Sequence, residues 1–210
     1  METQEKKKFS LESFLRRVFK GLLDTVAKGF IKIGLSANAV TVLGLLGAIG
    51  AAVAIALGYP FWGGVVLLVM APLDAVDGAI ARLSGGNKPF GAFLDSFIDR
   101  YSELFVYAGI LYLFYTEGNV LGVMLCFAAA SGAVLVSYAR ARAEGLGFEA
   151  KTGIMTRVER SIVLIVGLLF GILWIALVII ALLAHITALM RMVAVWKQAI
   201  QSETELEQKG

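Results

Sequence analysis

Between Ser161 and Val195 the chain runs for 35 residues with Arg191 as its only charged side chain. A hydrocarbon interior accepts such a run only as helix, because every backbone N–H and C=O must be satisfied within the segment. Roughly 20 residues at about 1.5 Å each cross a bilayer core. The stretch is too long for one ordinary span, and a break near Gly171 to Trp174 divides it into two. Comparable apolar runs place spans near residues 38–57, 61–83, 91–115, 119–142, 157–173 and 174–196. The predicted fold is therefore an all-α integral membrane protein with six transmembrane helices. A mean hydropathy of +0.81 agrees with that class and lies far above an ordinary globular domain.

Charge placement orients the bundle. Lysine and arginine fill the N-terminal segment, residues 82–88, residues 140–160 and the tail after Arg191, whereas the alternate connections at 58–64 and 116–119 hold none. By the positive-inside rule both termini and the functional face point to the cytoplasm. Before the first span, Phe14, Leu15, Val18, Phe19, Leu22, Leu23, Val26, Phe30 and Ile31 repeat at helical spacing, with Arg16, Arg17, Lys20, Asp24 and Lys28 opposite. This predicts an amphipathic interfacial helix on the cytoplasmic leaflet. The chain divides into an N-terminal segment (1–35), a six-helix transmembrane domain (36–197) and a polar tail (198–210) expected to fray. Cys126, the single cysteine, is expected to pack in an apolar run. His185 is expected to be satisfied by a neighbouring helix or a dimer seam. No nucleic-acid partner is expected.

Four carboxylates interrupt this apolar pattern. Asp74 and Asp77 are three residues apart and Asp95 and Asp99 four, so each pair shares one helix face. Clustered acids in apolar segments need countercharge, and hard oxygen ligands suit Mg²⁺ or Mn²⁺. Gly78, Ala81 and Gly91 clear that face of bulk, and Arg82 can neutralise a phosphate without titrating. The full pattern is D-x-x-D-G-x-x-A-R-x8-G-x3-D-x3-D, eight fixed positions over 26 residues. The bland reading of the same acids is an ion or proton path.

This pattern resembles the signature of the CDP-alcohol phosphotransferase family. The resemblance implies that Asp74, Asp77 and Asp95 ligate two metal ions, with Asp99 as general base and further metal contact. It extends upstream to Leu35-Ser36-Ala37-Asn38-Ala39-Val40-Thr41, where family members commonly carry proline at the position of Ala37. Asn38 and Thr41 are expected to join Asp74, Gly78, Ala81, Arg82 and Gly91 in holding the CDP-lipid, with Ser36 a helix cap.

Ser137-Tyr138-Ala139-Arg140-Ala141-Arg142-Ala143-Glu144 and Arg157-Val158-Glu159-Arg160 flank a loop containing Lys151. These stretches resemble the branch of the family that makes phosphatidylinositol phosphate. That resemblance implies an acceptor-phosphate pocket of Arg140, Arg157 and Arg191, with Arg142, Lys151 and Arg160 as second members. Arg160 can equally form a structural ion pair with Glu144 or Glu159. The expected reaction is direct transfer from CDP-diacylglycerol or CDP-archaeol to inositol 1-phosphate by a homodimer in the lipid bilayer. The same chemistry on glycerol 3-phosphate, an Asp-rich intramembrane prenyltransferase and a cation transporter remain the alternatives.

Overall fold

The computed structural model describes residues 18, 20–86 and 88–207. Its elements are α1 (Lys20–Lys32), α2 (Ala37–Ala56), α3 (Pro60–Met70), α4 (Leu73–Leu83), α5 (Pro89–Thr116), α6 (Val120–Gly145), α7 (Arg157–Leu169) and α8 (Leu173–Glu207). No strand occurs among the described residues. Packing runs α3 to α2, α2 to α5, α5 to α6, α6 to α8, α8 to α7 and α7 back to α3, which closes a ring. Inside the ring lie Ile55, Val106, Ile110, Phe114, Cys126, Leu164, Leu168, Leu177 and Ile180. Helix α4 branches off to pack against α2 and α1.

Four helical stretches are long and apolar enough to cross a membrane: Ala37–Ala56, Pro60–Leu83, Val120–Gly145 and Leu173–Thr204. Neither α5 nor α7 meets that measure. The first half of α5 carries Asp95, Asp99, Arg100 and Glu103, and α7 has 13 residues. Both nevertheless complete the ring, so their place in the bundle rests on packing more than on apolar length.

The sequence punctuates these helices as expected at several points. The Ser36 hydroxyl accepts from the Ala39 N–H at 3.2 Å, so α2 starts on a side-chain cap although proline is absent from position 37. At Gly109 the α5 backbone presses against α2: an added Cβ would come within 2.9 Å of the Ala52 Cα. Small residues at such crossings let helices approach closely where hydrocarbon offers no drive of its own. Gly171, at φ +68°, makes the turn between α7 and α8, where the long apolar run required one.

Two departures have clear causes. The stretch expected as one span at 61–83 is broken at Ala71–Pro72, because proline lacks the N–H that would continue the ladder. The break starts a new helix at Leu73, which puts Asp74 in the first turn of α4 where the helix dipole favours it. The tail expected to fray from Gln198 instead continues α8 to Glu207. Gln198 itself is held: its side chain accepts from the Glu149 N–H at 2.9 Å and donates to the Glu149 carbonyl at 2.7 Å.

Part of the amphipathic expectation, Phe14 to Arg17 and Phe19, lies outside the described residues. In α1 the Ala27, Leu23 and Phe30 face packs on Val76, Ala79 and Ile80 of α4, while Leu22 and Val26 stay exposed. Cys126 is buried, its thiol 3.3 Å from the Tyr107 carbonyl, and the His185 ring lies 3.1 Å from the Ala128 carbonyl of α6.

Candidate functional site

The four acids gather where the start of α4 meets the first half of α5. Asp77 is buried and its Oδ2 lies 2.8 Å from the Thr41 hydroxyl, which also sits 3.0 Å from the Ala37 carbonyl. Thr41 is thus turned toward an acid of the cluster. Asn38, by contrast, is exposed, and an added Cβ at Gly91 would lie 3.4 Å from its Oδ1. The starts of α2 and α5 therefore lie close together beside Gly91. An added Cβ at Gly78 would meet the Arg82 guanidinium at 3.5 Å, so Arg82 folds over that same face. Ala81 and Arg82 follow one turn on, with Arg82 exposed.

The carboxylates are close enough to repel. Asp77 and Asp99 each feel the charges of Asp74 and Asp95. What offsets that repulsion is Arg157, the first residue of α7. Its Nη1 reaches Asp99 Oδ2 at 2.6 Å and also bonds Asp74 Oδ2. Thr156 and Glu159 form a capping box that starts α7 and fixes where Arg157 leaves the backbone. Arg100 adds a weaker contact, 3.5 Å from Asp99. Among the described residues no three acid, His or Cys side chains converge as a ready-made metal site. The donor set still fits a hard divalent cation, because a guanidinium already bridges two of its oxygens from two helices.

The predicted basic pocket divides. Arg160 is 1% exposed and makes a two-pronged bond to Glu103, at 2.7 and 2.9 Å, plus a 3.3 Å bond to the Met155 carbonyl. Its ion-pair partner is therefore neither Glu144 nor Glu159, which are taken by Arg140 at 2.9 Å and by Thr156. Glu103 on α5 was out of view because 57 residues separate the pair. Arg191 is also buried: Nε donates to the Thr152 carbonyl at 3.0 Å and Nη1 to the Val136 carbonyl at 2.5 Å. Lys151 is exposed beside Glu149 at 3.1 Å. Arg142 is exposed and lines a cavity of about 440 Å³ between α6 and α8, together with Tyr138, His185 and Arg191.

Residues 146–156 form a strap between α6 and α7, tied down by residues the sequence did not advertise. The fully buried Thr187 hydroxyl accepts from the Ile154 and Met155 N–H groups at 3.2 and 3.0 Å. Gly153 lies against the Thr187 methyl with φ +142°, a conformation that other residues rarely adopt and that would strain any substitute. A polar residue one helical turn before Arg191, in an otherwise apolar helix, was the available signal.

A ring of helices, with four helical stretches long and apolar enough to cross a membrane, carries at one end an acid cluster bridged by Arg157. The family comparison makes this specific: the CDP-alcohol phosphatidyltransferase family matches residues 35–196, and the chain belongs to it. It is a transferase. The archaetidylinositol phosphate synthase of Methanothermobacter thermautotrophicus is 35% identical over 195 residues, covering 90% of this chain and 96% of the relative. The phosphatidylinositol phosphate synthase of Mycobacterium tuberculosis, solved with CDP-DAG bound, superposes with a TM-score of 0.78 at 29% identity, covering 83% of this chain and 93% of that one. The same enzyme in complex with manganese and citrate also gives 0.78 at 29% identity, covering 83% and 88%.

Proposed function

We propose that this chain transfers a phosphatidyl or archaetidyl group from a CDP-linked lipid to inositol 1-phosphate, releasing CMP. The observation that carries the reading is the cluster of Asp74, Asp77, Asp95 and Asp99 on α4 and α5, facing Arg157 of α7. The names of its relatives supply the lipid and inositol classes. In this reading six helices, α2, α3 with α4, α5, α6, α7 and α8, span the bilayer, with α1 at the interface. The lysine- and arginine-rich connections support a cytoplasmic side for the site and both termini, and in this reading the active form is a homodimer.

Asn38, Gly78, Ala81, Arg82 and Gly91 take the cytidine and its phosphates, with Thr41 holding Asp77 in place. Arg157 takes the acceptor phosphate, with Arg140 and Arg142, exposed on α6, adding positive charge at the end of that helix. Arg191, Arg160 and Lys151 support it through the strap. Asp99 accepts the proton of the attacking inositol hydroxyl. That oxygen forms a bond to the lipid-side phosphorus as the bond from that phosphorus to the CMP oxygen breaks, and CMP departs with the electron pair. Two Mg²⁺ or Mn²⁺ ions, held by Asp74, Asp77, Asp95 and Asp99, supply when bound the charge that offsets the diphosphate. No serine, cysteine or histidine stands among these residues as a covalent nucleophile, so displacement is direct.

The test is purified protein in detergent with radiolabelled CDP-diacylglycerol or CDP-archaeol, Mg²⁺, and inositol 1-phosphate, free inositol or glycerol 3-phosphate. CMP and a lipid product should form with inositol 1-phosphate. Turnover with glycerol 3-phosphate alone would keep the family chemistry and overturn the acceptor.

A further inference from the structure

We propose that the Arg157 guanidinium holds the cation position between Asp74 and Asp99 until a divalent ion displaces it, and that only the displaced Arg157 is free to take the acceptor phosphate. The proposal rests on the acceptor reading above for its second half and on geometry alone for its first.

One nitrogen, Nη1, bonds carboxylate oxygens of two residues on two different helices, Asp74 of α4 and Asp99 of α5. This is the bridging position that a small cation takes among hard oxygen ligands. Arg100, by contrast, reaches only Asp99 of the four, at 3.5 Å. The first turn of a helix is an unfavourable place for a positive charge, so Arg157 is drawn there by the acids and not by its own helix.

The surroundings leave one part able to move. The backbone at Arg157 is fixed by the Thr156–Glu159 capping box, and the strap behind it is pinned by Thr187 and Arg191. Arg160, one turn along, is locked to Glu103. Release of Arg157 is therefore a side-chain rotation on a rigid frame. While Nη1 is shared by the two carboxylates, their negative charge repels a phosphate approaching the remaining Nε and Nη2 donors. A metal ion that takes the acids hands the arginine to the acceptor, so the metal and the acceptor bind with positive coupling. By linkage each must tighten the other by the same factor.

The experiment measures Mn²⁺ binding to detergent-solubilised protein by electron paramagnetic resonance, without lipid or nucleotide, for wild type, Arg157→Gln and Arg82→Gln. Arg82 is exposed on α4 and makes no ion pair among the described residues, so its loss removes an equal charge without removing a bridge. Arg157→Gln should bind Mn²⁺ about tenfold more tightly, and Arg82→Gln should gain clearly less. Equal gains in the two variants, or none in Arg157→Gln, overturn the proposal.

Calorimetric titration of wild type with inositol 1-phosphate is the second arm and needs no variant to fold. Affinity should rise when Mn²⁺ is present, and in Arg157→Gln that rise should vanish. Equal affinity with and without Mn²⁺ in wild type, or coupling that survives in the variant, also overturns it. Absence of any inositol 1-phosphate binding would reject the acceptor reading, leaving the Mn²⁺ comparison to decide the cation displacement alone.

Discussion

The acid-bearing half of the site and the arginine-bearing half are held in different ways. Asp74, Asp77, Asp95 and Asp99 sit on two helices at successive turns, and their arrangement follows from helix geometry. The arginines are set by long-range bonds: Arg160 to Glu103 on α5, Arg191 to carbonyls of the strap and of α6, Arg157 to acids 83 and 58 residues away. One half is a local pattern carrying chemistry, and the other is a tertiary assembly that delivers one guanidinium to it. Removing a residue from the first should therefore cost turnover, and from the second, stability or acceptor affinity.

The sharpest test of that division is Asp99→Asn. A carboxamide keeps the shape and loses the base, so transfer should fall by about 10²–10⁴ while CDP-lipid still binds, as followed by CMP release and by nucleotide titration. Loss of nucleotide binding would mean that the acids hold the fold as the arginines do. Next comes Arg160→Met, which takes the two-pronged partner from the half-buried Glu103 and should destabilise by up to about 3–5 kcal/mol. Thermal unfolding in detergent reads this, and Arg160→Met with Glu103→Leu should recover most of the loss. If the single variant unfolds like wild type, the basic half is not held by this pair.

Thr187→Val strips the acceptor from two strap N–H groups, at about 1–3 kcal/mol. Its signature is a raised acceptor KM with the donor KM unchanged, and Thr187→Ser should restore it. A donor KM that rose equally would show the strap supporting the whole site. Gln198→Ala removes a more exposed tie at Glu149 and should cost about 0.5–1.5 kcal/mol, visible as faster amide exchange at residues 147–152 with turnover nearly intact.

This contrast also explains what could be read from the sequence. The acids, the glycines and Arg82 declare themselves because their spacing is short and regular. The turn at Gly171 was visible because a bilayer limits span length, and the cap at Ser36 because capping is local. Arg160 and Arg191 are expected in the acceptor pocket and Thr41 at the CDP-lipid, yet their tertiary partners are not legible from the sequence. A pairing such as Arg160 with Glu103 depends on how α5 and α7 face each other, which no local spacing encodes. The kink at Pro72 had its signal in the proline itself, but hydropathy alone runs straight through it. For α8, polar composition after residue 197 hid a continuing helix whose Gln198 does tertiary work.

The strap has one more consequence. Fixing backbone costs about 1–2 kcal/mol of conformational entropy per residue, and most binding loops incur part of that cost each time a ligand arrives. Here Thr187, Arg191, Arg160 and Gln198 immobilise residues 149–155 when the chain folds. The ordering is done once per lifetime of the molecule. A small, highly hydrated acceptor, with few atoms from which to draw affinity, meets a frame in which little more than one side chain has still to choose its rotamer.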